Sequence, residues 1–274
     1  MTQFLHFSNG GIQMSDLVQA VNSAVPGARQ KPFLAWHPLD RNFYLGICLA
    51  MWAGVGLVFG SDIVRHVTTN ARPYPPIVHV HAAVFASWLL LVTGQVLLIR
   101  LGRRDIHRTL GYAMLIVAAA MLIVGPLTAY ISDGERIDVK GFHPTIVFVQ
   151  LTDMVAFATV GLAGVLKRAD ASAHKRLMLL STIYITDAGF TRIPRIWAIA
   201  RPSDALGAWA HLYYGPALLV LGMGIYDLIT RRRLHPAYVI VTLWFLALQI
   251  ASTILLIDPR LGPVARTLLG HNGG

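Results

Sequence analysis

Apolar residues along this chain do not alternate with polar ones; they come in long blocks. Seven blocks approach or exceed the roughly 20 residues that a helix needs to cross the hydrocarbon of a bilayer. They run over about 43–64, 77–99, 109–131, 144–166, 177–200, 210–230 and 236–257, each bounded by charge, Gly or Pro. The strands of a membrane barrel would alternate, and an open sheet would leave backbone groups unpaired in lipid. The pattern predicts an all-α fold, a polytopic transmembrane helix bundle of about seven spans. The fifth block is the least apolar, because Asp187, Arg192, Pro194 and Arg195 fall inside it.

Composition agrees. Hydrophobic residues make up 55% of the 274 and charged residues only 13%, about half the charge of a soluble domain. The net charge of +10 would suggest nucleic acid in a soluble protein. Here the basic residues sit in short turns between apolar blocks, where an anionic inner leaflet is the simpler partner. No nucleic-acid partner is expected, and no dinucleotide fingerprint or phosphate-binding glycine loop is present. The single cysteine, Cys48, builds neither a disulfide framework nor a thiolate metal site and reads as a small buried apolar side chain.

Lysine and arginine orient the bundle. The turns after the second, fourth and sixth blocks hold Arg100, Arg103, Arg104 and Arg108; Lys167, Arg168, Lys175 and Arg176; and Arg231, Arg232 and Arg233. The alternate turns are mixed in sign, with Asp133, Glu135, Arg136, Asp138 and Lys140 in one of them. The positive-inside rule places the first set in the cytoplasm. That predicts an N-terminus in and a C-terminus out, in the inner membrane of a bacterium. Residues 1–42 then form a cytoplasmic tail, 43–258 the seven-span domain and 259–274 a short periplasmic tail. No cleavable signal peptide is visible in the tail, and a short amphipathic helix is expected near Ser15–Val25.

Of 11 histidines, seven stand at or just before the start of a block: His79, His81, His143 and His211 on the outer side, and His107, His174 and His235 on the inner. His81 and His143 enter from the same face on different helices, as do His107 and His174 from the other. In a bundle, each pair could meet at one depth, which is what two axial ligands of a haem iron require. Interfacial histidines also serve as polar anchors, as non-haem metal ligands or as proton relays, and the spacing leaves these alternatives open. No HxxxH, HxxHH or HExxH cluster occurs, so a di-iron or zinc-protease site is disfavoured and no metal beyond haem iron is expected. A faint internal echo joins RLGRRDIHRTLG, between the second and third blocks, to KRADASAHKRLM, between the fourth and fifth.

The stretches VHVHAAVFASWLLLVTGQVLLIRLGRRDIHRTLG, AHKRLMLLSTIYITDAGFTRI and RRRLHPA resemble a family of uncharacterised bacterial integral membrane proteins. The resemblance covers about residues 40–260 and implies a seven-span protein without an established activity. More distantly, pairing the second block with the fourth and the third with the fifth looks like the cytochrome b561 arrangement. That resemblance implies haem b held by His81, His143, His107 and His174. The pattern departs from such cytochromes in placing His107, His143 and His174 at helix mouths instead of within helices.

Two carboxylates fall inside blocks. Asp153 and Asp187 enter from opposite faces and their depths coincide near the midplane, where two ionised carboxylates would repel, so one is expected to be protonated or paired with a base. Charges there are costly and need partners, and Arg192 is the expected partner in depth. Gln95, Gln150, Tyr184 and Gln249 are expected to complete a polar interior. Gly54, Gly56, Gly60, Gly161 and Gly164 are candidates for close helix approach. The leading functional expectation is a haem-containing membrane oxidoreductase passing electrons across the inner membrane. Asp153, Asp187 and Arg192 would then manage protons or a quinone, and Arg104, Arg108 and Arg176 would neutralise haem propionates. The alternatives are a proton-coupled transporter using the same three residues, or a non-enzymatic scaffold or assembly factor.

Overall fold

The structure, a computed structural model, describes residues 33–69, 73–191 and 204–271. All of these except Phe33 belong to one unit, Leu34–Gly274. Among them the regular elements are all helical. Six helices are long and apolar enough to cross a membrane: α1 (Asp40–Thr68), α2 (Pro76–Arg100), α3 (Arg104–Gly134), α4 (Ile146–Leu166), α7 (Ala205–Arg231) and α8 (Pro236–Ile257). This is the architecture of a multi-pass membrane protein. Each long helix contains or closely matches one predicted block. Between α4 and α7 lie two shorter helices, α5 (Ala171–Tyr184) and α6 (Asp187–Phe190), and a third short helix, α9 (Gly262–Leu268), follows α8. The predicted amphipathic segment at Ser15–Val25 lies outside the described residues.

Local signals start the helices. Pro76 and Pro236 open α2 and α8 at their first positions, where a missing N–H costs nothing. Asp170 caps α5 by accepting from Ser172 N and Ala173 N, and Asp204 caps α7 by accepting from Gly207 N. His235 Nδ1 accepts from Ala237 N at 3.1 Å, so one of the block-start histidines is a helix cap. Burial and the nearby Arg176 guanidinium hold its imidazole below the ordinary histidine range, as an accepting Nδ1 requires.

The long helices turn apolar side chains outward. Ile116, Ile123, Ile240 and Leu243 are 61–74% exposed in the middle of their helices, which is a surface suited to lipid and not to water. Polar groups go inward and cross between helices. Trp52 donates to Thr93, Trp88 to Thr182, Trp209 to Gln249 and Trp244 to Thr159. The Trp209 bond ties α7 to α8. Cys48 is fully buried and unbridged.

The fifth block behaves differently from the rest. Every residue from Leu179 to Tyr184 is buried, so this least apolar segment is shielded by the others. It is also broken: α5 ends at Tyr184 and α6 begins at Asp187. Ser181 and Thr182 both donate to Met178 O, and Thr186 to Ile183 O at 2.6 Å. Such back-bonding competes with the helical ladder and bends it. A broken backbone at membrane depth is tolerated where protein surrounds it. Small residues make the room. A Cβ on Gly54 or Gly215 would overlap the Phe190 ring, and one on Gly189 would sit 3.2 Å from Gly54 O and Val55 Cα. Gly164 lies under Met178 and Leu177 in the same way, whereas Gly56 and Gly60 face open space.

The three arginine-rich turns share one end of the bundle. Arg100 donates to Arg41 O at the start of α1. Asp40, the first residue of α1, receives Lys175 at 2.6 Å and Arg231 at 2.7 Å. Residues ahead of the helix dock here too, since Arg231 donates to Leu34 O and Lys175 to Ala35 O. The stretch from Leu34 to Asn42, expected in a loose tail, therefore belongs to the bundle. At the opposite end α9 folds back, burying Ala265 and Leu269 against Ala129, Ile137 and Val147. The expected terminal tail is thus a folded cap.

Candidate functional site

The break between α5 and α6 delivers Asp187 to the interior, where it is 4% exposed. Asp153, two turns into α4 and 7% exposed, meets it: the two carboxyl groups are within hydrogen-bonding contact. Asp153 Oδ1 has no hydrogen-bond partner. Tyr184 and Tyr213 flank the pair, their rings 6.1 Å apart. The Tyr213 hydroxyl pairs with Ser252 Oγ at 2.6 Å, and Ser252 donates on to Gln249 O. Phe245 closes one side against the Tyr184 ring at 4.4 Å. Arg192, the expected partner of Asp153, lies outside the described residues.

A hydrogen bond between two carboxyl groups needs a proton on one of them. Two like charges this close, shielded from water, cannot both ionise at ordinary cost.

The histidines divide. His107, opening α3, and His174, in the first turn of α5, are brought together with ring centroids 6.2 Å apart and planes nearly perpendicular. His174 Nδ1 faces Gly164 O at 2.8 Å. A carbonyl there requires the proton on Nδ1, which leaves Nε2 with its lone pair, the usual orientation of a ligating histidine. His107 Nδ1 is buried without a hydrogen-bond partner, and Gln95 donates to the His107 carbonyl at 3.1 Å. The outer pair is arranged otherwise: His81 stacks on Phe85 at 4.0 Å, while His143 is exposed in the turn before α4.

A second polar cluster was only partly foreseen. Arg176, 1% exposed, donates through Nε and Nη2 to both carboxylate oxygens of Asp227 at 2.8 and 2.5 Å, and through Nη1 to Ser172. Arg231 joins Asp227 at 3.6 Å and Asp40 at 2.7 Å, and Tyr226 donates to Asp40 at 2.5 Å. Arg176, expected near a haem propionate, is thus committed to Asp227, and Arg104 and Arg108 are exposed. Asp227 takes its two short bonds from Arg176 on another helix and also lies beside Arg231. The network ties α1, α5 and α7 together at the arginine-rich end. No signal in the sequence marked Asp40, because its partners are four or more helices away in the chain.

Comparison with family models, with curated proteins and with solved structures finds no match to this chain.

Proposed function

We propose that this is a seven-pass bacterial inner-membrane protein that couples its work to a proton held between Asp153 and Asp187, in the manner of a proton-coupled transporter. The observation that carries the reading is the contact of two buried carboxyl groups at a break in the most enclosed helix. Intramembrane carboxylates in protein-lined breaks are the usual fabric of proton and ion pathways. Seven passes are inferred from connectivity. Segment α5 starts at the arginine-rich end, where Lys175 reaches Asp40, and α7 finishes there. Because α7 is long enough to cross a membrane, it starts at the end opposite to the start of α5. The basic turns favour placing the arginine-rich end in the cytoplasm.

The test is a screen in proteoliposomes loaded with a pH-sensitive dye. A set of small solutes is added outside, and proton movement is followed for wild type, Asp153→Asn and Asp187→Asn. A solute that moves protons in wild type and in neither variant supports the proposal. Solute-driven proton movement that survives both substitutions rejects it.

A second reading rests on His107 and His174. Their juxtaposition, with His174 oriented by Gly164 O, favours these two side chains as the ones that would hold a haem b at the inner face. When bound, such a group would supply one-electron chemistry, with a quinone as the natural partner. The resemblance to the cytochrome b561 arrangement accords with this reading. A visible spectrum of protein purified from haem-replete cells decides this. A b-type band lost in both His107→Ala and His174→Ala supports haem, and a colourless preparation removes it.

A further inference from the structure

We infer that the Asp153–Asp187 pair exchanges its proton with the face opposite the arginine-rich one, along a path made by Gln150 and Asp133. The inference rests on the proton-holding reading of that pair and adds its route. Asp133 looks like a solvated turn residue in the sequence, but in the last turn of α3 it is only 4% exposed. Gln150 lies beside it across the α3–α4 contact. Gln150 precedes Asp153 by three residues, so the two lie on one face of α4. Asp133 Oδ2, Gln150 Oε1 and Asp153 Oδ1 are all buried acceptors without partners. One unpaired buried acceptor is expensive and rare. Three in succession from a helix end to the proton pair describe a route that protons or waters complete.

The other direction is closed. Between the pair and the arginine-rich end, Phe157 and Val160 of α4 and Leu177, Leu180 and Ile183 of α5 are each at most 4% exposed. Trp88 packs edge-on against Phe157 at 5.0 Å and spends its N–H on Thr182. Beyond this plug stand Arg176 and Arg231, whose fixed positive charges oppose an entering proton. At the open end the charged neighbours of Asp133 are Glu135 and Arg136 in the following turn, with Asp138, Arg266 and His271 around the cap. Arg266 reaches Asp138 at 3.4 Å, and His271 lies beside Gly134.

The test uses dicyclohexylcarbodiimide, an apolar reagent that adds to protonated carboxyl groups, with modification of Asp153 and Asp187 read by mass spectrometry. Spheroplasts and everted vesicles present opposite faces to the medium. An Asp138→Cys marker, labelled with an impermeant maleimide, identifies which preparation presents the Asp133 face. On that face, a jump of the medium to alkaline pH should quickly lower labelling of the pair. The same jump on the arginine-rich face should leave it unchanged. In Asp133→Asn and Gln150→Leu the response should slow by about 10²-fold, the lower end of what a positioned proton-transfer group contributes. A response from the arginine-rich face, or unchanged kinetics in both variants, overturns the route while leaving the proton pair intact. Absence of labelling at any pH overturns the proton pair itself, and the route with it.

Discussion

Removing the Asp227 carboxylate should be among the most damaging single changes outside the proton pair. Asp227 and Arg176 are each 1% exposed, and Arg176 gives Asp227 two charge-assisted hydrogen bonds. Around them three cations, Lys175, Arg176 and Arg231, share two carboxylates, Asp40 and Asp227. Asp227→Ala leaves Asp40 alone against three positive charges, and Arg176 loses two charge-assisted hydrogen bonds. Breaking a buried pair by deleting one partner costs about 3–5 kcal/mol, because the surviving charge stays desolvated. Deleting both charges, as in Arg176→Leu with Asp227→Leu, should restore most of that loss, since the cost of burying either ion disappears with it. The assay is equilibrium unfolding in mixed micelles, run as a double-mutant cycle. A loss below about 1 kcal/mol for Asp227→Ala, the range of an exposed ion pair, would refute the claim that this network clamps the inner ends of α1, α5 and α7.

Gly189→Ala should cost about 1–3 kcal/mol, as overpacking does, because the new Cβ would meet the α1 backbone at 3.2 Å; thermal unfolding measures it. Asp138→Ala should change stability by less than about 1 kcal/mol, since its Arg266 contact is long and open to solvent; the same unfolding assay checks it. His235→Ala should cost about 1 kcal/mol at pH 8 through loss of the α8 cap. Because burial lowers the pKa of His235 in the folded state, the unfolded chain binds its proton first. The stabilisation is then present above the ordinary histidine value of about 6.5 and is lost as pH falls below it and through the lower folded value. Unfolding midpoints between pH 8 and pH 5 should therefore fall more steeply in wild type than in His235→Ala.

Most of the architecture was legible because lipid imposes a simple length rule, and six apolar blocks became six long helices. The fifth block was flagged by its polar content but not its break, which depends on Ser181, Thr182 and Thr186 turning their hydroxyls onto preceding carbonyls. The shared depth of Asp153 and Asp187 was legible, as was the need of a midplane carboxylate for a partner, but the partner expected for Asp153, Arg192, lies outside the described residues. The His107–His174 pair followed similarly from shared depth. Asp133 and Asp40 escaped notice for one reason. Each lies where apolar residues give way to polar ones, and burial there is decided by the cap of α9 or the docked Leu34–Leu39 segment, neither of which leaves a periodic signal.

Infrared difference spectroscopy on the protein in lipid tests the central claim most directly. A carbonyl stretch of a protonated carboxyl group should be present at neutral pH, insulated from bulk solvent, and lost in Asp153→Asn or Asp187→Asn. A spectrum with no such band, or one in which the band survives both substitutions, would mean that the two carboxyl groups do not hold a proton between them.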